Sequence, residues 1–323
     1  MKILIVHDSK IPVTLYGGTE RVIWDLGVAL TSMGHSVEYL VKEGSMCPFA
    51  KVSIIDFDHP WDEQIGEDID VVHFHFNQTQ QIKKPFICTI HGNAIAGTRF
   101  SENSVFVSSN HALRNNSDSY VLNGLNWDNY TPPDFRTKES YVHFLANASW
   151  RLKNVRGAIK LARKADVPIK VLGGKRFNIR MGLRLTLDLH ATFYGSVGGE
   201  EKNRLLNNSS GYLFPVLWDE PFGLSIIESM YYGNPVFGTT YGSLPELVPH
   251  EVGILSNKQS ELVEGIKNRA AFEPKKVHEV ALEYNHQKMA QEYLKKYELV
   301  LNNHPLNMNE PITQESRLSY NIL

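Results

Sequence analysis

The stretch 218–236, Trp-Asp-Glu-Pro-Phe-Gly-Leu-Ser-Ile-Ile-Glu-Ser-Met-Tyr-Tyr-Gly-Asn-Pro-Val, constrains the fold more than any other part of the chain. Just upstream, Gly211-Tyr212-Leu213-Phe214-Pro215 reads as a short buried strand. Pro221 suits the first turn of a helix. Leu224, Ile227, Met230 and Tyr231 recur at i, i+3, i+4 spacing, and Gly233 before Asn234-Pro235 stops the run. One helix therefore leaves the carboxyl end of a strand, which is where open α/β sheets bind ligands. Backbone N–H groups around Phe222, Gly223, Leu224 and Ser225 are expected to face that crevice, and a helix N-terminus favours an anionic group. Glu220 stands at the mouth of the helix and Glu228 two turns on.

The same alternation runs through the chain. Residues 2–6 form a near-continuous apolar strand, as a central parallel strand buried on both faces does. A loop over 8–16 leads into Gly17-Gly18-Thr19-Glu20-Arg21, after which Val22, Ile23, Leu26, Ala29 and Leu30 keep helical spacing as far as Met33-Gly34-His35. Gly17 and Gly18 permit close approach of backbone to a ligand, although a plain tight turn uses the same residues. No Gly-x-Gly-x-x-Gly opens this helix, which argues against a nicotinamide enzyme. Further strands are expected at 37–41, 71–76, 86–90 and from 105, predicting a parallel doubly wound sheet. The polar, proline-containing segment 131–139 reads as a linker. Beyond it come strands at 141–146, 169–173 and 192–197, with helices over 155–165 and 198–207. A chain of 323 residues suits two domains of ordinary size. The expected division is 1–135, 136–303 and a tail, 304–323, that crosses back to the first domain.

A net charge of −2 implies neither a nucleic-acid footprint nor a strong polybasic membrane patch. There are two cysteines, Cys47 and Cys88, the latter inside the apolar run Phe86-Ile87-Cys88-Thr89-Ile90, so disulfide dependence is not expected and a reducing compartment fits. The first apolar run is too short for a signal peptide, and no stretch approaches the roughly 20 apolar residues of a membrane span. The expected location is the cytoplasm, with at most peripheral association at the inner face of the membrane. Histidines close two strands, in Val72-His73-Phe74-His75 and in Thr89-Ile90-His91-Gly92. Metal binding by His73, His75 and His91 would need a carboxylate or cysteine at ligand spacing, and none stands near, so no metal is expected.

Glu-Pro-Phe-Gly-Leu, the seven residues between Glu220 and Glu228, the Gly-Asn-Pro-Val stop and Gly242-Ser243-Leu244-Pro245-Glu246-Leu247-Val248 together resemble the donor site of glycosyltransferase family 4, retaining enzymes of the GT-B fold. The resemblance spans about 2–255 and is more specific in the donor half. It implies an α/β architecture of two Rossmann-like, doubly wound parallel-sheet domains facing a central cleft. The chemistry implied is transfer of a sugar from a nucleoside diphosphate sugar, UDP favoured, to a saccharide, lipid-linked or small-molecule acceptor, without metal or cofactor. By resemblance, Glu220 contacts the donor sugar, Glu228 the ribose hydroxyls, and His91 positions the sugar. Gly17 and Gly18 lie near the donor phosphate and acceptor, Gly173 near the nucleotide, 192–197 beside the base, and Asn123-Gly124 at a turn ending the first domain. The family's Arg and Lys that clasp the pyrophosphate correspond to Arg151 and Lys153. These stand two apart rather than five, so which cation meets which phosphate stays open. Glu246 is expected to be structural. Asp56-Phe57-Asp58 matches the metal motif of the other major glycosyltransferase fold but sits in a polar link before Pro60 and reads as a loop. Two rival readings are a nucleotide-sugar epimerase of the same fold and a non-catalytic nucleotide-sugar binder. Envelope polysaccharide synthesis is the family's commonest use.

Overall fold

The apolar run at the amino terminus forms β1 (Lys2–His7), buried from Ile3 onward. A central parallel strand is covered on both faces, which is why its sequence does not alternate. The structure, a computed structural model, describes residues 1–13, 17–136, 138–178 and 184–314. The chain divides into two units, Met1–Asn126 with Tyr284–Ser316 and Trp127–Glu283.

In the first unit, β2 (Ser36–Val41), β3 (Lys51–Ile54), β4 (Val71–Phe74), β5 (Phe86–Ile90) and β6 (Ser104–Phe106) join β1 in an all-parallel sheet of order β3-β2-β1-β4-β5-β6. The order reverses between β1 and β4, where Ile5 pairs with His73. That switch point is the ligand-binding end of a doubly wound sheet. Helices α1 (Gly18–Ser32), α2 (Trp61–Gln64) and α3 (Ser109–Leu113) follow β1, β3 and β6. The segment 105–110, expected to be a strand and its exit, leaves the strand after Phe106, and Ser108 Oγ accepts the His111 N–H at 3.1 Å and caps α3. Leu4, Val6, Leu40, Trp61, Val72, Phe74 and Phe106 belong to one buried cluster. The Asp56-Phe57-Asp58 segment is a loop in which Asp56 Oδ1 accepts the Asp58 N–H at 2.9 Å.

The second unit repeats the topology. Its strands are β7 (Val142–Leu145), β8 (Ile169–Leu172), a two-stranded ribbon of β9 (Phe177–Asn178) and β10 (Arg184–Leu185), β11 (Ala191–Phe193), β12 (Tyr212–Phe214), β13 (Val236–Gly238) and β14 (Gly253–Leu255). The main sheet runs β11-β8-β7-β12-β13-β14, again all parallel, with the reversal between β7 and β12. Around it lie α4 (Val155–Lys164), α5 (Gly199–Asn207), α6 (Leu224–Tyr231), α7 (Leu244–Leu247), α8 (Gln259–Lys267) and α9 (Pro274–Leu282).

Helix α6 starts later than the sequence suggests. Gly223 takes φ 94°, a left-handed value, and serves as its N-cap, so Pro221 lies before the helix and not in its first turn. Its end is as expected: Gly233 has φ 72°, and the Asn234 N–H donates to Ser229 O at 3.2 Å, a Schellman closure.

The last helix, α10 (His286–Leu301), packs in the first unit against α1 and β5, not in the second domain to which 136–303 was assigned. Its buried face carries Met289, Ala290, Tyr293, Tyr297 and Val300. Two of those tyrosines bond to strand residues: Tyr297 OH meets His73 Nδ1 at 2.8 Å, and Thr89 Oγ1 donates to Tyr293 OH at 3.0 Å. Beyond it, the Phe100 N–H donates to Pro311 O and the Ile312 N–H to Asn115 O, each at 2.9 Å. Three parts of the sequence reading, namely residues 14–16 of the first loop, Thr137 of the linker and 315–323 of the tail, lie outside the described residues. Among the described residues no helix is long and apolar enough to cross a membrane.

Candidate functional site

Two loops leave the carboxyl ends of β7 and β12 at the second sheet's switch point, and one acid and one base meet there. A 3-10 turn, Arg151–Lys153, lies on the first loop and Glu220 on the second. Lys153 Nζ lies 2.5 Å from Glu220 Oε2, with side-chain exposures of only 11% and 8%. Trp218 Nε1 donates to the same oxygen at 2.8 Å. The Lys153 ammonium is 4.9–5.3 Å from the ring centroids of Trp150, Phe214 and Trp218. An ion pair walled by aromatic rings is desolvated, and cation–π attraction offsets part of that cost. Arg151, by contrast, is exposed. The short spacing therefore separates the two cations, one inward and one to solvent.

The two loops are tied together. The Leu217 N–H donates to Leu152 O at 2.7 Å and Asn154 Nδ2 to Pro215 O at 2.9 Å. A third loop, after β13, grips the backbone of Glu220. The Ser243 N–H donates to Glu220 O at 2.9 Å, Ser243 Oγ to Phe222 O at 2.6 Å, and the Gly242 N–H to Asp219 Oδ1 at 3.1 Å. Gly242 has φ 64°, and a Cβ there would sit 2.2 Å from Glu220 N. The Gly-Ser-Leu-Pro-Glu-Leu-Val stretch thus positions the first acid, a role its sequence does not announce.

Glu228 lies in the second turn of α6, 3% exposed. Its Oε1 accepts from Tyr130 OH at 2.8 Å and lies 2.5 Å from Lys202 Nζ of α5. Neither partner was foreseen, since Lys202 is one charge among many in Gly-Glu-Glu-Lys-Asn-Arg. Tyr231 stacks on Trp127 at 4.5 Å beside Tyr130. Of the remaining expected donor residues, Phe222 is buried at 2% exposure, and Ser225 Oγ is spent on Tyr212 OH at 2.7 Å. Gly223 and Leu224 are half-buried at the helix mouth. First-turn N–H groups of a helix have no carbonyl one turn back within it. Gly173 follows β8, donates its N–H to Gly195 O and accepts from the Ala148 N–H, both at 2.7 Å, supporting the loop that carries Lys153.

His91, Gly17 and Gly18 belong to the first unit. Gly17 is the N-cap of α1 and Gly18 its first residue. At the carboxyl ends of β1, β4 and β5 a cavity of about 370 Å³ is lined by His7, Glu20, His75, Asn77, His91 and Phe100 among others. His75 Nδ1 and His91 Nε2 are 2.9 Å apart and the rings stack at 5.2 Å. Burial pushes the His91 imidazole down to about 3, that of His75 well below its usual value, and lowers that of His7. All three are neutral at physiological pH. His73 lies outside this group, since both its nitrogens are taken, by Tyr297 OH at 2.8 Å and Thr89 Oγ1 at 2.7 Å. Among the described residues no three His, Cys, Asp or Glu side chains are grouped so as to hold a metal ion.

Two parallel six-stranded sheets with helices, each in this strand order, make the architecture GT-B. Residues 128–281, which lie within the second unit, match the family described as glycosyl transferases group 1. The chain is similar to the D-rhamnosyltransferase WbpZ of Pseudomonas aeruginosa, 25% identical over 73% of this chain and 67% of that protein. Among solved structures it resembles AviGT4, a glycosyltransferase involved in avilamycin A biosynthesis, with TM-score 0.74 and 19% identity over 94% of this chain and 98% of that one. It also resembles HepE of Anabaena in complex with UDP and glucose, with TM-score 0.65 and 17% identity over 92% and 99% of the two chains. At these identities the structural likenesses establish the fold.

Proposed function

We propose that the chain is a retaining, metal-independent glycosyltransferase of family 4 type that moves a sugar from a nucleoside diphosphate sugar to an acceptor hydroxyl. The observation that carries this reading is the pair of buried acids flanking the start of α6, each held by its own lysine: Glu220 by Lys153 and Glu228 by Lys202. A carboxylate oxygen accepts hydrogen bonds from hydroxyl groups as well as from its lysine. In this reading Glu220 takes hydroxyls of the donor sugar and Glu228 those of the ribose. An ammonium has three donors, so Lys153 can hold Glu220 and meet a phosphate oxygen together. With Arg151 and the N–H groups at Gly223 and Leu224 it stabilises the charge that develops on the departing diphosphate. His91 orients the sugar. Transfer proceeds at the front face, the leaving diphosphate accepting the proton of the acceptor, so no side chain becomes a covalent nucleophile.

UDP is the favoured donor nucleotide, supported by the UDP complex of HepE. The unpaired cysteines Cys47 and Cys88 suit a cytoplasmic setting. The test is incubation with UDP-, GDP- and ADP-sugars, with and without saccharide acceptors and EDTA, following nucleotide release and product anomeric configuration by NMR. The expected result is release from one donor class, undiminished by EDTA, with retained configuration. Inverted product, or activity abolished by EDTA, overturns the reading, and conversion of the donor without an acceptor makes the chain an epimerase.

A further inference from the structure

The His75–His91 contact joins two neutral imidazoles through one hydrogen bond of 2.9 Å. A neutral imidazole carries one N–H and one bare nitrogen, so the pair has two states. In one, His75 Nδ1–H donates to His91 Nε2, which leaves His91 with its proton on Nδ1 and His75 with a bare Nε2. In the other, His91 Nε2–H donates to His75 Nδ1, which leaves His91 Nδ1 bare and puts a proton on His75 Nε2. Whatever His75 Nε2 is, His91 Nδ1 is the opposite.

The surroundings choose between these states. His75 is 4% exposed, its ring stacked on His73 at 4.0 Å and set edge-on to His7 at 6.3 Å. His75 Nε2 is buried and has no hydrogen-bond partner among the described residues. Orphaned N–H groups are the rarest unsatisfied groups in protein interiors, and under-used acceptors are better tolerated. His73 offers His75 no exchange of protons. Thr89 Oγ1 spends its proton on Tyr293, so His73 Nε2–H donates to Thr89 and His73 Nδ1 accepts from Tyr297. Protonating either member of the pair is opposed by burial and by the neighbouring histidines.

We propose that His75 is a positioning residue that holds His91 in its Nδ1–H tautomer, so that His91 offers a hydrogen-bond donor, not an acceptor, to the ligand of this cavity. Neutral histidine side chains in water prefer the Nε2–H form, so this tautomer is imposed by the site. Its function rests on the reading that His91 orients the donor sugar: an Nδ1–H donor holds a sugar hydroxyl by its oxygen and leaves that hydroxyl's own proton to be donated elsewhere.

The test is long-range 1H–15N NMR of the full-length chain labelled at histidine, with His91 assigned by loss of its signals in His91→Gln. In the unaltered protein at neutral pH, His91 Nδ1 is expected in the protonated range and Nε2 in the bare range. His75→Phe keeps a stacking ring but removes the donor. There, His91 shifts toward Nε2–H and kcat falls at least tenfold while the Kd for UDP is unchanged. His75→Asn, whose amide can donate, retains more of both the tautomer and kcat. Finding His91 as Nε2–H in the unaltered protein overturns the proposal, as does full kcat in a His75→Phe protein whose tautomer has changed. If His75→Phe does not fold, the first spectrum still decides. Absence of any transfer would count against the glycosyltransferase reading and would leave the tautomer measurement standing.

Discussion

Lys153 and Glu220, 67 positions apart, form one buried ion pair 2.5 Å across, and Trp218 shares the acid. The pair fixes how the loops after β7 and β12 meet. Removing one member of a buried pair strands the other charge in a poorly solvated place, at a cost of about 3–5 kcal/mol. Lys153→Met is expected to lower unfolding free energy by roughly 3 kcal/mol. The double variant Lys153→Met/Glu220→Gln should recover most of that loss in urea titrations while transfer stays absent. A double variant as unstable as the single would show that the pair is not the structural tie between the loops.

Glu228 receives two donors on one oxygen, from Lys202 and Tyr130. Both fix the orientation of the carboxylate, which the proposed reading gives to the ribose. Tyr130→Phe removes one hydrogen bond, worth about 1 kcal/mol, which corresponds to roughly a fivefold weaker Kd for UDP. Lys202→Met removes a charged partner and should weaken binding tenfold or more, and Glu228→Ala should raise the donor KM at least as far. Calorimetry with UDP reads all three. Unchanged affinity in Glu228→Ala would remove the ribose assignment.

Gly242 approaches Glu220 more closely than any side chain could. An alanine Cβ would lie 2.2 Å from Glu220 N and 2.4 Å from Glu220 O, and φ 64° is itself unfavourable for alanine. Gly242→Ala should therefore cost more than 2 kcal/mol, roughly the left-handed strain plus the displaced loop, and should depress transfer more than tenfold. Gly34→Ala is the matched control, since φ is 85° there but nothing lies within 4 Å. Its expected loss is about 1 kcal/mol with activity intact. Equal effects at the two positions would show that closeness to Glu220 does not matter.

How much of this was legible in the sequence depended on whether the determinant was local. Strands β1, β2, β5, β7, β8 and β12 are apolar runs between polar breaks, and α1, α4 and α6 show their periodicity, so the doubly wound pattern was readable. Strand β3, Lys-Val-Ser-Ile at the sheet edge and exposed at both ends, has no such run and was missed. Pro221 pointed to an early helix start because proline suits a first turn, but the left-handed Gly223 governs entry into α6. The two acids were visible through the resemblance of the whole stretch, since a separation of seven residues alone is common on charged helices. Their lysines were not, because Lys153–Glu220 and Lys202–Glu228 arise from loops and helices that meet only in the folded unit. The same holds for His75 and His91, 16 positions apart and each just past the end of a separate strand. The membership of α10 was hidden for the same reason, since its tyrosines find His73 and Thr89 more than 200 positions away.

His143 carries the clearest pH dependence. It is fully buried on β7, with Nδ1 2.8 Å from Ser209 Oγ and Nε2 2.9 Å from Ser229 Oγ. Ser229 Oγ donates to Ser225 O at 2.7 Å, so His143 Nε2–H donates to Ser229. Burial pushes its imidazole from 6.5 down to about 3. Between those values the unfolded chain binds a proton that the folded one refuses, so the contribution to stability is complete above 6.5 and is lost as pH falls below it. The slope reaches about 1.4 kcal/mol per pH unit for each such group, and His91 and His111, also pushed to about 3, add with the same sign. Melting temperature should therefore fall steadily from pH 6.5 to pH 4. Carboxylates paired in the folded state contribute in the same direction, so the diagnostic is a difference: His143→Gln, less stable at pH 7, should lose less stability on acidification than the unaltered chain. Parallel pH profiles for the two proteins would mean that His143 is not the buried neutral group described.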